Sequence, residues 1–515
     1  MTFGLGGRRR VGSSAPAWLC VSAALILLGA AALAQGTVAT VEQLRTVAAL
    51  GGTYTLTAAT FEVFEPIEVA RDLTLLGQGD GATAVLVGAG PAALRVVSGA
   101  RLHLEGIAVS RLANESPSSD LIQVLDGHVE LVDARLAWAK SGGEDPMKRF
   151  GLGSALYIAG TSTAVLTGVT LERNGLAAVE IVDDARVEVV GSRFVNNAYG
   201  VFVTDAASVT LSSSSMVDSI ANAIAARGRA TMAVTGSEFV ANGSTLEAGG
   251  LEFDAVRVDE EATVTFAGNA FRDNPRYALS VTGSASVYSE DNTFENNGGY
   301  EESTDLYFSA LLLEESAVLE SNRDRFLANP GGAIELNDEA DGTFIATTVE
   351  RTGSFASIYS ESSGTLRFVE LTAVDNEGCV CLFAGTVTFE DGLLARNGDD
   401  AIYAEGVESL VVTGVTIREH AVVAVTAYET ASVTISGNTL EENGAGILIG
   451  PGSTAQVTDN RITAGASAGP AIAFHEAAGG VVSDNRVRQP GSVGAIAIGD
   501  PARVSADGND VADPE

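Results

Sequence analysis

The feature that most constrains the fold is a repeat of about 23 residues. One row of apolar positions recurs mostly every 22 or 23 residues, with single intervals of 24 and 25 and two of 32. Its members are Leu171, Phe194, Met216, Phe239, Phe271, Phe294, Phe326, Val349, Leu371, Leu394, Ile417, Leu440, Ile462, Val487 and Val511. Between the turns, apolar and polar residues alternate with period two, as in Ile334-Glu335-Leu336, which is the periodicity of β-strands.

Asparagine residues recur on both sides of the strand that carries this row. Three residues after the row stand Asn174, Asn197, Asn242, Asn274, Asn297, Asn329, Asn397 and Asn443. Two residues before it stand Asn269, Asn292, Asn438, Asn460, Asn485 and Asn509. Asparagine tolerates left-handed backbone angles and can hydrogen-bond to its counterpart in the next coil. We therefore predict two stacks of turns along the molecule.

A repeat of this length with three short strands predicts an all-β fold, a single parallel β-helix solenoid of about 18 coils. Propeller blades need about 40 to 45 residues, and the consensus of leucine-rich repeats does not recur here. Residues 91–515 form the repeats, continuous with a cap and first coils at 35–90. Right-handed coiling is expected from the crossover bias of parallel strands and from a family resemblance given below.

The start of the solenoid carries a predicted cap. A solenoid exposes its core at each end. Thr40 and Gln43 form a capping box that opens an amphipathic helix, whose apolar face carries Val41, Leu44, Val47 and Ala48. We expect this helix to plug the first coil. How the far end is capped stays open, although its Asp residues and Pro514 discourage edge pairing.

Residues 1–34 have the three parts of a secretory signal peptide. Arg8, Arg9 and Arg10 precede an apolar run from Val21 to Leu28, and Ala32-Leu33-Ala34 is a small-residue cleavage site. We predict cleavage near Ala34 and a secreted or periplasmic protein. No second apolar run of membrane-spanning character follows, so no membrane span is expected after the signal is removed.

The charge excludes some classes of partner. The formal net charge of -36 falls to -39 when Arg8, Arg9 and Arg10 leave. Such a chain is not expected to bind nucleic acid, and an acidic polysaccharide would need a cation bridge or a local basic loop. No cofactor is evident, and no metal site is predicted. Calcium stays open because acids are abundant, but neither an EF-hand nor a nonapeptide repeat occurs.

A short N-terminal stretch and the later coils resemble a known superfamily. The stretches Val41-Glu42-Gln43-Leu44, Gly51-Gly52-Thr53-Tyr54 and Leu73-Thr74-Leu75-Leu76-Gly77-Gln78-Gly79 resemble the opening of pectate-lyase-like proteins. The later coils look like the repeats of right-handed parallel β-helix proteins. The resemblance implies polysaccharide lyases, glycoside hydrolases and epimerases, but also adhesins and surface-layer proteins, so the fold alone does not assign a function.

The catalytic patterns of that superfamily are mostly absent. Gly398-Asp399-Asp400 resembles the paired aspartates of polygalacturonases, but no His-Gly dipeptide or Arg-x-Lys motif accompanies it. An Asp-Asp pair also occurs at Asp183-Asp184, where it is interpreted as part of an ordinary turn. The Arg-x-Pro-x-x-Arg motif of pectate lyases does not occur either. The weak catalytic candidates are Asp399, Asp400, Lys148 and Glu301.

The cysteines and histidines are interpreted as structural. Cys379 and Cys381 align with the inward pair Ile402 and Ala404 of the next coil, which predicts core packing; a Cys-x-Cys metal site or a local disulfide is the alternative. The four histidines, His103, His128, His420 and His475, are too scattered for a metal site. His420 occupies the Asn turn position of its coil, and His475 is expected to face solvent.

Four insertions follow the tracked row and should therefore emerge from one corner of the rod: 111–120, 140–153, 243–252 and 298–305. Loops on one side of a solenoid commonly line its binding face. The predicted substrate-binding residues are Trp138, Lys140, Lys148, Arg149, Phe150, Tyr300 and Tyr307. Aromatic rings beside polar groups suit sugars, and the alternative is that these rings only pack the loops against the coils.

These features support three hypotheses. The first is an exported β-helix protein that binds glycan or acts at the cell surface. The second is a polysaccharide-active enzyme, a lyase, glycoside hydrolase or epimerase, with a cleft formed by the four loops. The third is a structural rod or adhesin. A convergent acid–base set would favour the enzyme, and the sequence presents none; it also leaves the oligomeric state open.

Overall fold

The computed structural model describes residues 36–78, 83–87, 91–111, 120–137, 153–245, 252–302, 306–464, 469–490 and 494–512. The chain winds into coils with strands on three faces, and the strands of these faces pair in parallel with their equivalents in the neighbouring coils. We name the faces I, II and III in the order in which each coil visits them. The predicted parallel β-helix solenoid is confirmed, and the eighteen strands of face I among the described residues give about 18 coils.

Face I is a separate sheet of short strands. Its strands are Ile67–Val69, Leu94–Val96, Ile122–Val124, Leu156–Ile158, Ala177–Ile181, Tyr199–Val203, Ile224–Ala226, Val256–Val258, Leu279–Val281, Leu311–Leu313, Ile334–Leu336, Ala356–Ser360, Cys379–Leu382, Ile402–Glu405, Val423–Tyr428, Ala445–Ile449, Ile472–Phe474 and Ile496–Ile498.

Face II carries the strands Thr37–Val38, Gly52–Leu56, Leu73–Leu76, Ala100–Glu105, Gly127–Val132, Thr163–Thr167, Arg186–Val190, Ser208–Ser212, Thr231–Thr235, Thr263–Ala267, Ser286–Glu290, Val318–Asn322, Asp341–Ile345, Ser409–Thr413, Ser432–Ser436, Thr454–Thr458, Gly479–Ser483 and Val504–Asp507. Two longer strands, Thr365–Val374 and Thr386–Ala395, continue from face II through face III.

Face III carries Thr60–Val63, Ala84–Val87, Ala108–Arg111, Arg135–Ala137, Thr170–Glu172, Arg193–Val195, Ser215–Val217, Glu238–Val240, Ala270–Arg272, Thr293–Glu295, Arg325–Leu327, Thr348–Glu350, Thr416–Arg418, Thr439–Glu441, Arg461–Thr463, Arg486–Arg488 and Asp510–Ala512. The tracked row runs along the inside of this face. Phe239, Phe271, Phe294 and Phe326 stack with ring centroids 4.6 to 4.8 Å apart and contribute to one continuous buried core.

The predicted stacks of asparagines form between coils. At the corner from face III to face I, Asn274 donates through Nδ2 to Asn297 Oδ1 over 2.7 Å, and Asn376 to Asn397 over 3.1 Å. At the corner from face II to face III, Asn438 donates to Asn460 over 3.0 Å. These bonds satisfy polar groups that are buried away from water.

The expected left-handed geometry lies one residue earlier than predicted. At the corner from face III to face I, the positions of the stacked asparagines form a ladder, and the residues with positive φ stand just before them, such as Arg173 (57°) and Asn296 (55°). The ladder asparagine is therefore selected for its side-chain hydrogen bonds, and its neighbour makes the turn.

One member of the tracked row is also corrected. Val349 pairs with Ala373, and Ala373 pairs with Leu394, so Ala373 occupies the row. Leu371 aligns with Gly392, at the preceding corner. The reason is that the strand Thr365–Val374 lacks the usual turn, and both Leu371 and Ala373 are apolar and buried, so the sequence pattern does not separate them.

The single described helix, Val41–Leu50, confirms the predicted cap. Thr40 Oγ1 accepts a hydrogen bond from the Gln43 backbone N–H over 3.2 Å, and Gln43 Oε1 accepts one from the Thr40 N–H, which completes the capping box. Leu44, Val47 and Ala48 are buried in the main core. The helix therefore covers the apolar end of the first coils.

Candidate functional site

Two hairpins project from the corner between face III and face I. Ser244–Thr245 pairs antiparallel with Glu252–Phe253, and Gly299–Glu301 pairs with Leu306–Phe308. Gly243 and Gly298 begin these hairpins with φ of 83° and 71°, a backbone conformation that glycine adopts without strain. All four predicted insertions follow a face III strand, so they leave the solenoid at this one corner.

A continuous chain of aromatic rings begins at the second hairpin and follows the outside of face I. We call it the aromatic track. Successive ring centroids lie 4.9 to 6.4 Å apart. Its members are Tyr300, Tyr307, Phe355, Tyr359, Phe383, Tyr403 and Tyr428.

The hairpin end of the track is exposed to an unusual degree. Tyr300, Tyr307 and Phe355 expose 51%, 45% and 59% of their surfaces, and Leu306 beside them exposes 50%. Large apolar groups that cluster at the surface of a soluble protein mark a binding site more often than isolated ones do. The predicted binding residues Tyr300 and Tyr307 both lie in this cluster.

A cavity of about 230 Å³ opens between these rings. Tyr307, Phe355 and Tyr359 form part of its wall, and Glu335 supplies the carboxylate. A pocket with mainly apolar walls and a small number of polar groups is the usual form of a small-ligand site.

Glu335 is held by hydrogen bonds on both oxygens. Tyr277 donates its hydroxyl to Oε2 over 3.1 Å, and Asn337 donates Nδ2 to Oε1 over 3.3 Å. Burial raises the pKa of the Glu335 carboxyl, against the lowering effect of these two bonds. A carboxyl in this environment can hold or transfer a proton nearer neutral pH than an exposed one.

Glu301, a weak catalytic candidate, is engaged in an ion pair. Arg276 Nη1 lies 3.6 Å from Glu301 Oε2, and its Nε lies 3.9 Å from Asp254 Oδ1. The Arg276 guanidinium also covers the Phe308 ring at 3.9 Å from the centroid. This buried cluster ties the second hairpin to face I. Glu301 therefore stands beside the track as an anchor of the hairpin.

The other predicted acids lie farther along face I. Asp400 is buried, and its Oδ1 accepts the Val423 N–H over 2.8 Å while Oδ2 accepts the Thr426 hydroxyl over 2.7 Å. Burial raises the pKa of Asp400. Asp399 is exposed and accepts the Asp400 N–H over 2.9 Å. Asp400 thus bonds its coil to the next one and lies outside the cavity lining.

A second polar cluster lies near the start of face I. Ser154 donates Oγ to Glu180 Oε2 over 2.5 Å, and its backbone N–H donates to Asp120 over 2.8 Å. Burial raises the pKa of both carboxyls. Asp120 and Ser154 stand at or just after the points where the described chain resumes after residues 112–119 and 138–152. Trp138, Lys140, Lys148, Arg149 and Phe150 lie outside the described residues.

The structure corrects the placement of Cys379 and Cys381. Val380 and Leu382 align with the inward Ile402 and Ala404, so the two cysteines face outward. They form a disulfide and are buried with Ala356 beneath Tyr359, Phe383 and Tyr403, apart from the central core. The alignment is wrong by one residue because it was counted from Leu371, whereas Ala373 occupies the row, and Val380 follows Ala373 by seven residues where Ile402 follows Leu394 by eight.

His420 and His475 lie where the sequence predicts them. His420 is buried at the ladder position, and its backbone N–H donates to Asn443 Oδ1 over 3.0 Å. His475 is exposed. Within the described part of the chain, no group of three or more His, Cys, Asp or Glu side chains is arranged to hold a metal ion, and no helix is long and apolar enough to cross a membrane. Calcium binding, which the sequence leaves open, stays open.

Sequence and structure comparisons identify the repeats. A family model described as "Right handed beta helix region" matches residues 154–309, 253–394 and 356–511, which together span more than half of the chain. A search of curated proteins finds no match.

Solved structures share the fold at low identity. ORF18 of Geobacillus virus E2 is 11% identical, with a TM-score of 0.36 over 66% of this chain and 61% of that one. The catalytic unit of a thermostable GH87 alpha-1,3-glucanase from Streptomyces thermodiastaticus is 14% identical, with a TM-score of 0.40 over 68% and 65%. The periplasmic alginate epimerase AlgG is 10% identical, with a TM-score of 0.36 over 70% and 77%. The alignments cover less than two thirds of the first two proteins, and likenesses of this size carry no argument about activity.

Proposed function

Because this chain belongs to the right-handed β-helix family, a fold that hosts many functions, we propose its function from the site: it binds a glycan along the aromatic track. The observation that carries the proposal is the unbroken chain of seven rings. At the hairpin end these rings are exposed, and a cavity opens between them. Sugar rings present apolar faces and hydroxyl edges, which suit aromatic faces and carboxylate oxygens respectively.

The geometry of the solenoid supports an extended ligand. Tyr359, Phe383, Tyr403 and Tyr428 lie on four successive coils, which rise by roughly 4.8 Å each. Rings carried on stacked strands are already spaced by the fold, which lowers the entropic cost of binding. A chain molecule that lies along the rod can therefore contact several rings at once.

The charge of the track bears on the kind of glycan. Glu335, Glu361 and Glu405 lie along it, and the seven strands of face I from Leu311–Leu313 to Ala445–Ile449 contain no Lys or Arg. Carboxylates repel polyanions. We therefore propose a ligand that is not acidic.

An enzymatic role is the second candidate, and Glu335 is the specific observation that favours it. Its carboxyl lines the cavity, and its raised pKa suits a general acid in glycoside hydrolysis. A hydrolase also needs a second carboxylate or a positioned water across the bound bond. Asp399, Asp400 and Lys148 remain weaker proposals, since the first two lie outside the cavity lining.

We also propose that the protein is exported. The support is the pattern of Arg8 to Arg10, the apolar run Val21 to Leu28 and Ala32-Leu33-Ala34. Expression of the full-length chain in a bacterial host, with N-terminal sequencing of the periplasmic and culture fractions, tests this. A mature N-terminus near Gln35 supports export, and an intact Met1 in the cytoplasm contradicts it.

Binding is tested with an exposed ring on the track and a matched ring elsewhere. Phe355 exposes 59% of its surface and Phe64 exposes 52%, so neither substitution to alanine removes core packing. We expect Phe355→Ala to bind the oligosaccharides that the wild type binds about 10-fold more weakly, which is the effect of one lost aromatic contact. We expect Phe64→Ala to bind them with the affinity of the wild type. Equal affinities for both variants, or no retention on any neutral or cationic glycan, contradict the proposal.

The enzymatic alternative has its own test. Wild type and Glu335→Gln are incubated with each glycan that is retained, and new reducing ends are measured. Gln keeps the size and accepts the Tyr277 hydrogen bond, but it cannot transfer the proton. Loss of cleavage with retained binding assigns Glu335 as the acid; binding without cleavage in the wild type leaves a binding protein.

A further inference from the structure

Two tyrosines of the track hold carboxylates beside their rings. Tyr359 donates its hydroxyl to Glu361, and Tyr403 donates to Glu405 over 2.6 Å. Both glutamates are exposed, and each lies two residues after its tyrosine. The bond to Glu405 raises the pKa of Tyr403 to about 12, so the phenol stays neutral and the negative charge stays on the carboxylate. Each pair thus presents an aromatic ring and a neighbouring anion to solvent.

These two carboxylates have no basic partner, unlike some of the acids on the other faces. Arg367 pairs with Glu390, and Arg323 pairs with Glu290, on face II and its corner. Glu361 and Glu405 have no Lys, Arg or His within salt-bridge distance in the part of the chain that the structure describes. The basic side chain by the hairpin, Arg276, is directed to Asp254 and Glu301. The negative potential of the track is therefore open to an external cation.

Aromatic rings add to that preference. A cation over a tyrosine face is attracted by the ring quadrupole, and an ammonium donates charge-assisted hydrogen bonds to a carboxylate. The pairs Tyr359–Glu361 and Tyr403–Glu405 are two coils apart, which is roughly 9.6 Å. That distance is close to the disaccharide repeat of an extended 1,4-linked sugar chain, in which alternate sugars present the same edge.

We propose that the track selects a glycan with free amino groups, a chain of amino sugars whose ammonium groups contact Glu361 and Glu405 while the rings of Tyr359 and Tyr403 receive the sugar faces. This inference rests on the proposed function and narrows its ligand class. It assigns affinity to the rings and selectivity to the two carboxylates.

The test compares two oligomers of one backbone. Hexamers of β-1,4-linked glucosamine and of its N-acetylated form are titrated into the mature protein by calorimetry, at mildly acidic pH where the free amines are protonated. The variant Glu361→Gln/Glu405→Gln is measured beside the control Glu188→Gln/Glu320→Gln, which removes the same charge from the exposed side of face II.

We expect the wild type to bind the free-amine hexamer at least about five-fold more tightly, the effect of two partly exposed cation contacts. The Glu361/Glu405 variant should lose that preference while its affinity for the acetylated hexamer stays the same, and the control should behave as the wild type. Equal binding of both hexamers overturns the inference and leaves glycan binding standing. A preference that both double variants reduce equally assigns it to overall charge and also overturns the inference. Binding of neither hexamer, together with no retention of any other glycan, overturns the proposed function as well.

Discussion

The Tyr277 hydroxyl donates a hydrogen bond to Glu335 Oε2 over 3.1 Å, although 58 residues separate the two in sequence. In the coil between them, Leu312 occupies the position equivalent to Glu335. Tyr277, Phe308 and Leu312 pack as a small apolar cluster separate from the main core. Glu335 is therefore held by Tyr277, from two coils earlier, and the Tyr277 ring is itself packed against Leu312 and against Phe308 of the second hairpin.

We predict that Glu335 makes stability fall as pH rises. Burial raises the pKa of its carboxyl above that of the unfolded chain. The unfolded state thus loses this proton first, so the contribution of the group is present below its unfolded pKa and is lost as pH rises through the folded one. The free energy of unfolding of the wild type relative to Glu335→Gln, from urea titrations at several values of pH, should decrease from about pH 4 upward. A difference that is constant with pH would contradict the raised pKa.

His420 should make the rod sensitive to acid. Burial lowers the pKa of its imidazole, against the weaker raising effect of the Leu394 and Asp399 carbonyls, and neither ring nitrogen has a hydrogen bond of normal geometry. The folded state favours the neutral ring, so stability is full above the unfolded pKa of about 6.5 and is lost as pH falls.

The variant His420→Asn should reduce that loss. Asparagine at the next ladder position, Asn443, donates Nδ2 to the Ile417 carbonyl over 2.9 Å, and an asparagine at 420 has the equivalent bond available. We expect a gain of about 1 kcal/mol at neutral pH and a larger gain at pH 5, measured by urea unfolding. His475→Asn, at an exposed site, is the control and should change neither value. A variant that keeps the acid sensitivity of the wild type would assign it to other groups.

The phenylalanine stack should be costly to interrupt. Phe294 lies 4.6 Å from Phe271 and 4.7 Å from Phe326, ring centroid to centroid, and is buried. We expect Phe294→Ala to lower the free energy of unfolding by about 3 to 5 kcal/mol, and Phe294→Leu to cost only about 1 kcal/mol, because leucine refills most of the space. The exposed Phe355→Ala should cost less than about 0.5 kcal/mol. Equal losses for Phe294→Ala and Phe355→Ala would mean that the stack does not contribute as proposed.

Reduction of the Cys379–Cys381 disulfide should have a small effect on global stability. The bond closes a loop with a sequence separation of 2, for which chain entropy gives about 1.5 kcal/mol. Urea midpoints with and without reductant measure the effect, and Cys379→Ser/Cys381→Ser is the control that reductant should not change. A loss above about 3 kcal/mol would show that the bond also holds the rings of Tyr359 and Phe383 in place.

Much of the fold follows from the sequence because the inward side chains must repeat in register. Phe194, Met216 and Phe239 pair directly from coil to coil as their spacing predicts. The errors arise where apolar character is not unique to one position. Leu371 and Ala373 are both buried, and Cys379 to Leu382 are four buried residues in a row, so periodicity alone does not fix which of them face the core.

The candidate site is less accessible to prediction from sequence. The shared corner of the insertions and the residues Tyr300 and Tyr307 could be inferred, because they follow the repeat. Phe355, Tyr359 and Glu335 were missed, since each stands within an ordinary coil and becomes part of one surface only when coils stack. A signal was present in the recurrence of Tyr359 and Tyr403 at equivalent positions, each followed two residues later by Glu.

The coil-to-coil pairing has a further consequence for how such a molecule changes its length. Each coil contacts almost only the coils before and after it, and its hydrogen bonds and stacked rings recur at both interfaces. Duplication or removal of one whole repeat therefore leaves the contacts between the remaining coils intact. Insertion or deletion of a single residue within a strand instead turns the side chains that follow it, up to the next turn, to the opposite side of the sheet. Rods of this kind can grow by whole modules while a surface that was built on three or four of them is preserved.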